Sequence, residues 1–235
     1  MSDVKKQGRT VVEAVARRFS AKWEKGSDPS NAYITVAGKR VAVDIATLKP
    51  PGSGQGDAAK PGLRFDKVAT RLIARLQATL GETVPDGMTV LLTITAPIRL
   101  PSKTAAALEV KIQILLGRES PSRNAKDTIH GNRVQIRLWR DESGRAPKMI
   151  GFVHNSDSDS LLLLNMTREL LELISAAAGR RARRPAGDRW LVVISAEGTS
   201  CFEAYRYICS QLRTATEFKK ILMVFRDGRV EVLTG

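Results

Sequence analysis

Apolar positions recur at helical spacing over residues 9–24, where Val11, Val12, Val15, Ala16 and Phe19 form a stripe opposite Arg17, Lys22 and Lys25. The period then changes. Residues 32–37 and 40–47 read as two strands joined by a tight turn at Gly38-Lys39. Side chains alternate along a strand, so Val41, Val43 and Ile45 share one face, while Arg40, Ala42, Asp44 and Ala46 share the other. Asp44 is therefore an acid inside an apolar strand, and its burial costs desolvation unless a partner meets it. Glu13 flanks the helical stripe and is expected to point at the same sheet face; its plainer role is an exposed ion pair with Arg17, four residues along.

The segment 49–62 is rich in proline and glycine and without periodicity, which predicts a mobile loop. A helix is predicted over residues 63–80, its core face formed by Leu63, Val68, Leu72, Ile73 and Leu76 and its basic face by Arg64, Lys67, Arg71 and Arg75. The β-branched and aliphatic run 88–95 predicts a strand. Further expectations are a helix at 102–116, strands at 132–140 and 147–154, and a helix at 161–178 capped by the Ser156–Ser160 segment. After Arg180, Arg181, Arg183 and Arg184, Pro185 stops the helix; a strand at 190–195, a helix at 200–214 and a hairpin at 220–226 and 229–233 follow. Strand–helix–strand order near the C-terminus predicts a parallel crossover on the same sheet. The fold class is thus α/β, a mixed sheet flanked by helices. The simplest organisation is one domain over residues 1–235, with a core at 1–97, an insertion or second lobe at 98–187, and a sheet-completing strand-helix-hairpin at 188–235.

Charge narrows the partners. Lysine and arginine number 38 against 24 acids, a formal net charge of +14, which favours polyanions through counterion release and steering. Nucleic acid, DNA or RNA, is the leading partner class, with Arg64, Lys67, Arg71, Arg75, Arg180, Arg181, Arg183 and Arg184 as its candidate contacts. The alternative is a basic interaction module that docks an acidic protein. Cys201 and Cys209 stand eight apart on a predicted helix, too far to bridge, and neither histidine lies near a cysteine at zinc-site spacing. No run reaches the length of a membrane span and no signal-peptide block opens the chain, so the default expectation is a cytoplasmic protein without a membrane partner.

Glu13, the Asp28-Pro29-Ser30-Asn31 segment and Asp44-Ile45-Ala46 together resemble the PD-(D/E)xK, or restriction endonuclease-like, nuclease superfamily. The resemblance covers about residues 8–97, and the whole chain if residues 188–235 complete the sheet. It implies a restriction endonuclease-like core and a Mg²⁺ held by Glu13 and Asp44. The pattern is eroded: Asn31 stands where a second acid belongs and Ala46 where the lysine belongs. The implied function is a nucleic-acid-binding protein of nuclease-like fold with an impaired metal site. The alternative is an active Mg²⁺-dependent endonuclease using Glu13, Asp28 and Asp44, with Lys67 supplying the missing charge from the following helix.

A second match competes. Pro85-Asp86 is followed by Glu109-Val110-Lys111, an intact motif if residues 109–114 form a strand. The proline start and the alanine run at 105–107 favour a helix there, and Val84-Pro85-Asp86-Gly87 favours a turn. The chain lacks a P-loop, an EF-hand loop and a nucleophile elbow.

Overall fold

The two-residue hairpin forms as Asn31–Val36 (β2) and Lys39–Thr47 (β3), with Ala37 and Gly38 at φ of 47° and 78° as the turn, one residue earlier than the sequence pattern suggests. Both turn residues at positive φ match the twist of the flanking strands. The computed structural model describes residues 2–26, 31–48, 62–117, 124–140, 146–179, 187–195, 201–212 and 217–235. The expected loop at 49–62 falls almost wholly outside these residues.

Ahead of the hairpin, helix α1 (Ser2–Arg18) ends sooner than the apolar stripe implies, and Lys22–Lys25 forms strand β1, antiparallel to β2. The stop is a left-handed residue, Ser20 at φ 49°, with the Ala21 N–H bonded back to the Ala16 carbonyl at 2.8 Å. This closure normally advertises itself with glycine. Serine gave no such signal, so Lys22 and Lys25 were misplaced on the helix.

The remaining elements are α2 (Lys67–Leu80), β4 (Met88–Thr95), α3 (Pro101–Leu116), β5 (Asn124–Ile129), β6 (Asn132–Arg140) and β7 (Met149–His154), then α4 (Ser160–Gly179), β8 (Arg189–Ile194), α5 (Phe202–Gln211), β9 (Lys220–Val224) and β10 (Val230–Thr234). They build two sheets. One has the order β1-β2-β3-β8-β9-β10 and the other β5-β6-β4-β7, both mixed. The α/β class is thereby established. The chain divides into two compact units, residues 1–53 with 169–235, and residues 54–168, the boundary falling within α4.

That division draws the boundaries differently from the expected segments. Helix α2 and strand β4 were assigned to the core with the first hairpin, yet they belong to the second unit, so the inserted unit begins near residue 54 rather than 98. The difference has a simple origin: an apolar strand such as β4 carries no mark of the sheet it joins. Residues 188–235 do complete the first sheet, with β8 parallel to β3 and β9 parallel to β8.

In the first unit, Val11, Val12 and Val15 of α1 pack on Val41, Val43, Trp190, Val192 and Ile194, with Ile45 at the margin. The face of β3 carrying Val41 and Val43 is therefore the one covered by α1. In the second unit, Leu72, Ile73 and Leu76 of α2 and Ala105, Leu108 and Ile112 of α3 cover Val90, Leu92, Ile94, Val134 and Ile136. A Cβ on Gly151 would lie 2.6 Å from Ile73 Cδ1, so glycine permits this close approach of α2 to β7.

Candidate functional site

Asp44 has no exposed surface, and it has found the partner its strand position demands. Arg189, the first residue of β8, pairs in register with Ala42, two residues before Asp44 and on the same face. Its Nη2 donates to Asp44 Oδ2 at 2.9 Å and its Nε to the same oxygen at 3.3 Å. Nη2 also donates to the Ala177 carbonyl of α4 at 3.1 Å, and Nη1 donates to Glu217. The guanidinium lies 4.8 Å from the Phe218 ring centroid. Side-chain exposure is 7% for Arg189, 0% for Asp44 and 15% for Glu217, so the cation is desolvated between two acids. The fixed fork of the guanidinium suits this multiple donation better than an ammonium would.

Glu13 is elsewhere. It sits on α1, the helix covering the Val41 and Val43 face, whereas Asp44 points from the opposite face toward Arg189. The expected shared face is thus corrected: alternation along β3 separates the two carboxylates across the sheet. Glu13 instead accepts from Arg9 Nε at 2.8 Å, the i,i+4 pair formed with Arg9 rather than Arg17. Glu13 and Asp44 do not fit a shared Mg²⁺, and among the described residues no group of three or more His, Cys, Asp or Glu has a metal-binding arrangement.

Lys67 lies at the start of α2 in the second unit, exposed, whereas Asp44 belongs to the first. Asp66 caps that helix, accepting from the Val68 and Ala69 N–H groups at 3.0 and 2.9 Å. Asp28, Arg180, Arg181, Arg183 and Arg184 fall outside the described residues. Asn31 pairs in register with Asp44.

The competing motif dissolves into structural pairs. Residues 109–111 lie within α3, where Glu109 meets Arg75 at 3.5 Å and Lys111 meets Asp127 at 2.7 Å. Asp86 is exposed in its turn and pairs with Lys148, which holds its carboxyl below the usual range through the hydrogen bond and the charge.

Two cavities accompany these features. One, of about 240 Å³, lies past the C-terminal ends of the parallel strands β3, β8 and β9 and is lined by Thr47, Ile194, Val224 and Arg226 with Thr10 and Ala14 of α1. The other, of about 530 Å³, opens on the face of the second sheet away from α2 and α3. Its lining is mixed, with Thr93, Thr95, Lys126, Asp127, Arg133, His154 and the Ser156, Ser158 and Ser160 hydroxyls as its polar part.

His154 anchors one side of this second cavity. Its Nδ1 is 2.8 Å from the Asn155 carbonyl, an atom that can only accept, so the proton sits on Nδ1 and Nε2 faces Thr95 Oγ1 at 3.5 Å. Burial, reinforced by the Arg133 charge, pushes the imidazole below its ordinary value against the opposing pull of the Asn155 carbonyl and Asp159. Ser156–Ser160 does cap the next helix, since Asp159 Oδ1 accepts from the Leu161 N–H at 2.8 Å.

Sequence reasoning missed Arg189 because it reads as the boundary of an apolar strand. The available signal was the converse one: a buried acid in β3 demands a cation on a neighbouring strand. Strand β5 was also missed, although Asn124–Ile129 alternates polar and partly buried residues, and with it Lys126 went unnoticed. Comparison with family models, curated proteins and solved structures gave no match.

Proposed function

We propose that the chain is a nucleic-acid-binding protein of nuclease-like layout in which the acid of the eroded motif serves the fold rather than a metal. The observation that carries the reading is the basic row of α2. Arg64, Lys67, Arg71 and Arg75 are all exposed, and among the described residues neither Lys67 nor Arg71 has a carboxylate partner. Lys67, Arg71 and Arg75 recur every fourth residue and so follow one face of the helix, a ridge of charge suited to a phosphate backbone. The net charge of +14 supplies the long-range attraction.

The reading draws on the layout of the first unit: a helix, a three-stranded meander carrying the acid, and a parallel strand beside it. The Arg189 guanidinium stands against Asp44 where a metal would need open carboxylate oxygens, which argues for binding without phosphodiester hydrolysis at this strand.

Fluorescence anisotropy with DNA and RNA, single- and double-stranded, across a salt series tests the proposal. Binding should weaken steeply with salt, and Lys67→Ala/Arg71→Ala should flatten the log–log slope by about 1.4–1.8, from two phosphate contacts. Absence of binding at low salt overturns it, as does equal binding to polyglutamate, which would favour an acidic protein partner.

A further inference from the structure

The polar cleft of the second unit has an ordered construction. Lys126 pairs in register with Gln135, and Gln135 with Thr93; one row along, Thr128 pairs with Arg133 and Thr95 with His154. These side chains share the sheet face opposite the one covered by α2 and α3, where the row through Gln135 and Thr93 ends on Phe152 of β7 and the next row ends on His154. Ser156, Ser158 and Ser160 form a wall, and the cavity of about 530 Å³ falls within the size range of small-molecule sites.

Two independent features say what belongs there. The first is charge. Lys126 and Arg133 line the cleft, and among the described residues neither meets a carboxylate. Asp127 also lines the cleft but is held by Lys111 at 2.7 Å, and Asp159 caps the following helix through Oδ1. Arg137, two residues along β6 from Gln135, donates to amide oxygens, Asn124 at 3.1 Å and Asn165 at 3.0 Å. The cleft lining therefore carries two cations against one carboxylate, itself paired with Lys111.

The second is an orphaned donor. Thr93 is 1% exposed, lines the cleft, and its Oγ1 has no hydrogen-bond partner. Buried hydroxyls are normally satisfied, and one left open in a cleft that Lys126 and Arg133 also line can donate to an acceptor there. The tetrahedral oxyanion of a phosphate offers several acceptor oxygens to an arginine, a lysine and surrounding hydroxyls at once, whereas a carboxylate offers two.

We propose that this cleft is a binding site for a phosphate-bearing ligand of nucleotide size, the phosphate lying between Lys126 and Arg133 with Thr93 Oγ1 donating to it. Thr95 and the serine hydroxyls supply further donors, and the remaining volume accommodates a nucleoside. The site lies on the opposite face of its sheet from the α2 row and does not depend on the function proposed above.

Calorimetric titration of the full chain with adenosine 5′-monophosphate, inorganic phosphate and adenosine, followed in parallel by the His154 imidazole resonances, tests it. The monophosphate and phosphate should bind and shift the His154 signals; adenosine should not. Arg133→Ala and Lys126→Ala should each weaken binding by about ten-fold or more. Thr93→Val should weaken it less, with unfolding midpoints showing that each variant is folded. Oligonucleotides with and without a 5′-phosphate separate the sources: equal affinity for mononucleotide and phosphorylated strand identifies a strand end, and preference for the mononucleotide identifies a small molecule. Either supports the site. Lys67→Ala/Arg71→Ala should leave the monophosphate titration unchanged, so failure of the α2 reading and failure of this one are distinct. No His154 shift at millimolar phosphate ligand, or binding unaltered in both Arg133→Ala and Lys126→Ala, overturns the proposal.

Discussion

Asp44 and Arg189 are 145 residues apart in the chain and meet at 2.9 Å, almost wholly out of water, on adjacent parallel strands. The pair ties the first hairpin to the C-terminal half of its sheet. Removing one member leaves the other charge buried. Asp44→Ala should destabilise the protein by about 3–5 kcal/mol, because a broken buried pair costs more than it contributes intact. The triple change Asp44→Leu/Arg189→Met/Glu217→Gln should recover much of that loss. Urea unfolding of the variants checks both, and an Asp44→Ala chain as stable as wild type contradicts the assignment.

Asn132 is a second polar anchor. It is 1% exposed; its Oδ1 accepts from the Arg99 N–H at 2.7 Å, and its Nδ2 donates to the Arg99 carbonyl, Thr104 Oγ1 and the Ile129 carbonyl. Asn132→Asp replaces the donor with an anion facing two carbonyl oxygens. A loss of about 2–4 kcal/mol is expected, larger than for Asn132→Ala, since it adds charge burial to the lost bonds. Thermal unfolding of the two variants ranks them.

His154 makes stability depend on pH in a defined direction. Its folded value lies below 6.5, chiefly through burial, so the unfolded chain takes the proton more readily. Its contribution is intact above 6.5 and is lost as pH falls from there through the folded value. Unfolding midpoints should drop over that interval, and His154→Gln should flatten the drop. Unchanged pH dependence in the variant removes His154 as the cause.

Burial pushes the Cys209 thiol up to about 12. The thiolate is the reactive form, so Cys209 should resist aromatic disulfide reagents at neutral pH until the protein unfolds. Rapid native labelling, located by peptide mapping, would contradict this.

The hairpin, the helix at 101–116 and the parallel strand–helix–strand near the C-terminus were legible because each rests on local signals: a glycine turn, an alanine-rich run after proline, a change of period. The separation into two sheets was not, since strand partners are chosen by long-range packing. Asp44 was legible as an acid in need of company; that Arg189 would supply it depended on a parallel register no local pattern encodes. Glu13 went to the other face for a related reason: the Val11, Val12 and Val15 stripe claims the Val41 and Val43 side, and Asp44 necessarily points away. Lys126 and Thr93 met in the polar cleft only through the pairing of β5, β6 and β4.

The most direct test of Asp44 as counter-ion rather than metal ligand is the unfolding midpoint of wild type and Asp44→Ala, each with and without millimolar Mg²⁺ or Mn²⁺. The expected result is a large drop on mutation and no metal-dependent rise in either protein. A metal-dependent rise in wild type that disappears in Asp44→Ala, accompanied by metal-dependent strand cleavage, would contradict the account and restore Asp44 to a catalytic centre.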